Sequence, residues 1–223
     1  SEFAPFEFKS LVNGKDTLVG ADIELAKAIG EKLGVKVEFS VMSFDNVLAN
    51  VQSGKADIAI AGISVTDERK KVYDFSDSYY TSENVVIVKK DKVNDYTSTD
   101  SLAKQTVGTQ KGSVQETVAK KQIPKASVVS LTSNGEMINE LKSGQLQAVV
   151  LEKAIAEGYI AQNDDLTLAN FNLKSDGTDA YAVATRKGSD DLLKEINAVI
   201  KETKDSGKFD QWLKEASTYK QSK

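Results

Sequence analysis

Apolar residues recur in turn at helical and at strand spacing along this chain. Leu25, Ile29 and Leu33 fall on one helical face, and Gly34 supplies the residue type that closes such a helix. Val35, Val37, Phe39 and Val41 alternate with polar residues and predict a half-buried strand. Asp45 is placed to cap a helix carrying Val47, Leu48 and Val51, which ends at Ser53-Gly54 and returns to an apolar strand at 56–61. Thr66 reads as the next N-cap, with Asp67 and Glu68 in the first turn where a helix dipole favours acids. Strands alternating with helices of this length predict βαβ units, a mainly parallel sheet and the α/β class.

The second half repeats the plan about 90 positions later without a gap. Val41 matches Leu131, Ser43 matches Ser133, and Val47, Leu48 and Val51 match Met137, Ile138 and Leu141. Both copies end in Ser-Gly and enter an apolar strand, Ile58–Ile60 in one and Ala148–Val150 in the other. Duplicated architecture predicts two similar α/β lobes with a ligand between them. A first crossing is expected after the β-rich run Val85–Val88, in the polar stretch that follows, and a second within 174–179. Lobe 1 is thus predicted at 1–89 plus 177–223 and lobe 2 at 90–176, joined by two strands acting as a hinge. Near the C-terminus, Leu192, Leu193, Ile196, Val199 and Ile200, then Phe209, Trp212 and Leu213, keep helical spacing. Trp212 is read as core packing, and the last seven residues as a frayed tail.

With 223 residues the chain can bury a large core. A formal net charge of −4 provides no basic footprint for nucleic acid. Cysteine and histidine are both absent, which excludes thiol catalysis, disulfides, a Ser-His-Asp triad and zinc sites built on thiolate or imidazole. No metal site and no cofactor are expected. No apolar run reaches the roughly 18–20 residues that span a bilayer. No signal peptide opens the sequence, so either none is needed or it has been removed.

Candidate chemistry concentrates in Ala61-Gly-Ile-Ser-Val-Thr-Asp-Glu-Arg69, where an apolar strand runs into a glycine, a serine and a helix start. A guanidinium in a first helical turn faces the positive end of the dipole. An anion set between Arg69, the Ser64 hydroxyl and the N–H groups around Gly62 would relieve that conflict. The alternative is a solvated arginine paired with Asp67 or another carboxylate. A position at the carboxyl end of a strand, where open α/β sheets bind ligands, favours a small carboxylate.

The runs Val19-Gly-Ala-Asp-Ile-Glu-Leu-Ala-Lys-Ala-Ile29, Ser53-Gly-Lys-Ala-Asp57, Ala61 to Ser76, Val107-Gly-Thr-Gln-Lys-Gly-Ser113 and Tyr181-Ala-Val-Ala184 carry a family signature. In that order they resemble the extracellular amino-acid-binding proteins of bacterial ABC importers, solute-binding family 3. The resemblance implies two Rossmann-like lobes joined by a two-stranded hinge, the periplasmic binding protein fold. It implies that Arg69 holds the ligand α-carboxylate, helped by backbone N–H groups near Gly62, Ser64 and Val114 and by a helix capped by Ser113. Glu152 takes the place of the carboxylate that meets the α-ammonium. Phe3 and Phe44 stand where relatives place aromatic rings around the ligand side chain, and Gln110 and Gln115 line its far end. Three departures stand out. The family's opening strand and aspartate are not seen before Phe3, Ala21 replaces a frequent aromatic, and Val114 replaces a frequent threonine.

Two acids (Glu2 and Glu152) and two aromatics could cage a guanidinium, which points to arginine or another cationic amino acid. Two glutamines suit a neutral amide, so glutamine or another polar amino acid is the alternative. The expected mechanism is capture by hinge closure, followed by delivery to an ABC permease. The chain is expected to be a monomer at the outer face of the membrane, held by a lipid, or in a periplasm. A sensor ectodomain and a cyclohexadienyl dehydratase-like enzyme are the rival classes. Catalysis would need a general acid or base, for which Glu152 is the one candidate.

Overall fold

The computed structural model describes residues 3–175 and 179–222. The chain divides into two compact units, Ser1–Thr81 with Thr178–Lys223, and Ser82–Gly177. In the first unit, β1 (Phe8–Val12) and β2 (Lys15–Val19) pair antiparallel. Their turn, Asn13-Gly14, has φ of 51° and 77°, the double positive φ that matches strand twist in a tight hairpin. Then come α1 (Ala21–Leu33), α2 (Phe44–Gln52), β3 (Ile58–Ser64), the single-turn α3 (Asp67–Lys70) and β4 (Tyr73–Thr81). The second unit runs β5 (Asn84–Lys89), β6 (Thr106–Gln110), α4 (Val114–Gln122), β7 (Ser127–Leu131), α5 (Asn134–Ser143), β8 (Ala148–Glu152), α6 (Lys153–Gln162) and β9 (Leu166–Leu168). The chain returns to the first unit through β10 (Ala180–Arg186), α7 (Asp190–Asp205) and α8 (Lys208–Ala216).

The α/β class holds, but pairing is less parallel than the sequence pattern predicts. In the first unit the order is β3-β10-β4, and β10 runs antiparallel to both neighbours. In the second the order is β7-β6-β8-β5-β9; β6 pairs parallel with β7 and β8, while β5 runs against β8 and β9. Those β5 pairings put Val85–Val88 in the second unit, whereas the sequence reading drew the division after residue 89.

Caps show why the helices lie where they do. Gly34 takes the left-handed conformation at φ 68° and closes α1 as its spacing predicts. The duplicated Ser43 and Ser133 are the N-caps of α2 and α5. Asp45 is therefore the second helical residue and not the cap, because Phe44 has already entered the helix.

Two further expectations fail for lack or gain of pairing. Residues 35–43 form no strand, and Val35, Phe39 and Val41 are exposed. Alternation reports a half-buried face but supplies no neighbour; among the described residues β3 pairs only with β10. Val37 instead packs on α1, where its methyl fills the space beside Gly30. The C-terminal tail is pinned where fraying was expected: the Ser222 N–H donates to Lys9 O at 2.8 Å, beside a bridge between Ser10 and Gln221.

The first unit buries Val51, Ala59, Ala61, Ile63, Tyr73 and Ala184 between α2 and its sheet. The second buries Val86, Val88, Leu102, Val107, Ala119, Ile123, Ala148 and Val150. An aromatic cluster fastens the N-terminal arm to the first unit. Phe6 is fully buried, with ring centroids 5.2 Å from Tyr80, 5.7 Å from Tyr181, 6.5 Å from Phe209 and 5.2 Å from the stacked ring of Phe3. Trp212 is half-buried and meets Phe209 edge-on at 6.3 Å, so it packs as predicted. No helix of the described residues is long and apolar enough to cross a membrane. Phe6→Ala should cost about 3–5 kcal/mol in urea unfolding; a loss below about 1 kcal/mol would show that the arm is not fastened by this ring.

Candidate functional site

The carboxyl end of β3 gathers four of the predicted residues. Gly62 adopts φ 60°, and a Cβ there would stand 2.8 Å from Cε1 of Phe3 and 3.4 Å from the Tyr181 ring. Only glycine meets both the left-handed φ and the close approach of Phe3. Ser64 ends the strand, 4% exposed. Thr66 caps the following turn by accepting the Arg69 N–H at 3.2 Å, as its position predicts. The Arg69 side chain folds back so that Nη1 donates to Ser64 O at 2.7 Å.

Arg69 does not sit in the field of a long helix. With a single turn, α3 has little macrodipole, and Arg69 lies in its last turn as much as in its first. Attraction for an anion therefore rests on the guanidinium itself. Burial lowers its pKa from the ordinary arginine value, against Glu68 and Tyr73, which raise it, and an arginine keeps its proton at any ordinary pH. The half-buried guanidinium is oriented by the carbonyl of its own strand, and its planar fork has the geometry that suits a carboxylate.

In the second unit the predicted residues collect at the carboxyl ends of β6 and β8. The two strands are parallel neighbours, through Val107 with Ala148 and Gly108 with Val149, so both ends share one edge of the sheet. Ser113 caps α4: its Oγ accepts the Glu116 N–H at 3.2 Å and donates to Gln110 O at 2.6 Å. Val114 is the first residue of α4, where a backbone N–H has no intrahelical acceptor. Gln110 donates weakly to Thr132 O at 3.4 Å, and Gln115 donates to the Asn84 side chain at 2.8 Å.

Glu152 is 1% exposed and caps α6, its Oε2 accepting from the Ala154 and Ile155 N–H groups at 2.9 and 3.3 Å. This holds a carboxylate in place at the end of β8. Asn84 is the residue that sequence reasoning missed. It pairs opposite Glu152 across β5 and β8 while holding Gln115, and no local pattern marks a lone asparagine at a strand start. Phe44 opens α2, but its side chain and the whole of Glu2 lie outside the described residues. Among the described residues, no group of histidine, cysteine, aspartate and glutamate is arranged to hold a metal ion.

A family model for the bacterial extracellular solute-binding proteins, family 3, matches residues 1–216. The chain belongs to that family. Its members are bacterial extracellular solute-binding proteins. Among relatives, the arginine-binding extracellular protein ArtP of Bacillus subtilis is 34% identical over 219 residues, covering 96% of this chain and 82% of that protein. The glutamine-binding protein GlnH of an ABC transporter in Bacillus subtilis is 33% identical over 205 residues, 88% of this chain and 73% of that one. An amino acid ABC transporter substrate-binding protein from Streptococcus pneumoniae, solved with L-arginine, is 47% identical with a TM-score of 0.90 over 99% of this chain and 92% of that one.

The capping role of Glu152 has a measurable cost. Glu152→Ala should lower the unfolding free energy of the ligand-free protein by about 1–2 kcal/mol, and Glu152→Gln by clearly less, since the amide oxygen still accepts. Equal losses in urea titrations would mean that the charge and not the cap matters.

Proposed function

We propose that this solute-binding protein captures a free L-amino acid, with arginine or another cationic amino acid as the preferred ligand, and delivers it to an ABC permease. The observation that carries the reading is the Arg69 guanidinium, held at the carboxyl end of β3 by its bond to Ser64 O. A planar cation fixed in this way suits the α-carboxylate that every α-amino acid carries. Gly62 and Ser64 supply backbone at the same strand end, and Phe3 supplies an apolar face beside Gly62. In the second unit Ser113, Val114, Gln110, Gln115 and Glu152 are assigned to the same ligand, Glu152 to its ammonium and the glutamines to its side chain. Phe44 and Glu2 complete the assignment from the family resemblance.

Preference for a cationic side chain is supported by the arginine carried by the Streptococcus protein and named for the Bacillus one. The second reading is glutamine, favoured by the side-chain amide of Gln115, which Asn84 orients, and by the glutamine-binding relative. The protein is read as a monomeric binder without catalytic activity. It works at the outer face of the membrane under a lipid anchor, or in a periplasm.

A thermal-shift screen of ligand-free protein against the common amino acids, with prephenate added, tests the class. A ligand that binds only the folded state raises stability by RT ln(1 + [L]/Kd). Arginine or lysine should give the largest shift. A largest shift with glutamine would replace the ligand and keep the class, and turnover of prephenate would overturn the non-enzymatic reading. Arg69→Ala should weaken arginine binding by roughly 2–5 kcal/mol, the cost of stranding a desolvated carboxylate. Affinity within about threefold of wild type would remove Arg69 from the site.

A further inference from the structure

The first unit contains a buried acid that the binding assignment does not use. Asp22, in the first turn of α1, is 1% exposed. Neither carboxyl oxygen has a hydrogen-bond partner of normal geometry among the described residues, and neither does the Tyr79 hydroxyl of β4. Three elements present groups to it: the arm before β1 presents Glu7, β4 presents the Tyr79 hydroxyl, and β3 presents the N–H of Gly62. Tyr181 of β10 stands behind Tyr79, with ring centroids 6.5 Å apart. The start of α1 favours an anion, but that effect is modest beside the cost of burying a charge without a partner. Burial pushes the Asp22 carboxyl from 3.8 up to about 8, Glu7 adds to the push, and Tyr79 and Gly62 pull back.

We propose that Asp22 is a positioning residue that works as a neutral carboxylic acid, bracing Gly62 against α1 and β4 so that the end of β3 keeps its binding shape. A protonated carboxyl carries one donor and one acceptor, which match a phenol oxygen and a backbone N–H. Both groups lie near enough to act on its charge. An ionised carboxylate would face Glu7 in a dry site and push the elements apart. Gly62 is where such a disturbance reaches the ligand, since Phe3 and Tyr181 already close on it from other sides. This inference rests on the reading that the end of β3 binds the ligand.

The sign of the pH dependence follows from linkage. Between the unfolded value of 3.8 and the folded value of about 8, the folded chain holds a proton that the unfolded chain has lost. Stability therefore falls as pH rises through that window, and Asp22→Asn, a neutral isostere, should abolish the Asp22 share of the fall.

The test uses wild type, Asp22→Asn and Asp22→Ala, with arginine titrations and ligand-free urea unfolding from about pH 6 to about pH 9.5. Asp22→Asn should bind arginine at the low end within about threefold of wild type, whereas Asp22→Ala should be weaker at every pH. Relative to Asp22→Asn, wild type should lose about fivefold in affinity or more across the range, the low end of ordinary coupling between sites. Parallel profiles for wild type and Asp22→Asn, or a loss in Asp22→Asn equal to that in Asp22→Ala, would overturn the proposal. If wild type binds no arginine at all, the functional reading fails and the bracing claim with it. The unfolding arm then still decides whether Asp22 is neutral, by whether wild type loses stability relative to Asp22→Asn as pH rises.

Discussion

At Gly62 the backbone of β3 turns into the left-handed region, with Phe3 packed where a side chain would otherwise begin. Two residues on, the carbonyl of Ser64 accepts the guanidinium of Arg69. These contacts constrain one another. Phe3 can reach Gly62 because Phe6 buries its ring among Tyr80, Tyr181 and Phe209 and fastens the arm. Arg69 can reach back because Thr66 stops the chain after the strand and caps a single turn. The strand end is thus shaped by aromatic packing on one side and by a charge-assisted hydrogen bond on the other.

The second unit solves a similar problem with caps in place of a cation. Ser113 and Glu152 both close helix N-termini at the ends of neighbouring parallel strands, and each takes backbone N–H groups that would otherwise be unsatisfied. A buried carboxylate is tolerable there because two N–H donors converge on one oxygen. Asn84, opposite Glu152, ties Gln115 into the same group through β5. Rigid backbone and short side-chain links therefore fix the groups proposed to read a ligand.

Much of the chemistry that is local in space was legible in the sequence. Gly34, Thr66 and Ser113 sit at helix ends as expected, since capping needs only a few neighbouring residues, although Ser43 and not Asp45 caps α2. Pairing between distant segments was not legible. The alternation at 35–41 looked like a strand, yet β3 pairs with β10, which arrives more than a hundred residues later and runs the other way. Burial was equally hidden. Asp22 reads as an ordinary first-turn acid, and only the folding of β3, β4 and the N-terminal arm around it makes it a group without an ion partner. Glu152 could be named from the family resemblance, but its hydrogen bonds to Ala154 and Ile155 could not.

The proposed recognition of an α-carboxylate by strand-held Arg69 is what links the chemistry of β3 to amino-acid transport. Calorimetric titration of the ligand-free protein with L-arginine and with its decarboxylated analogue, agmatine, isolates that interaction, because the two share the guanidinium and differ in the carboxylate. Arginine should bind with one-to-one stoichiometry, and agmatine more than about thirtyfold more weakly, the low end of the cost of leaving a buried charge without its partner. Equal affinities would contradict the assignment of Arg69 and leave the site defined by the side chain alone.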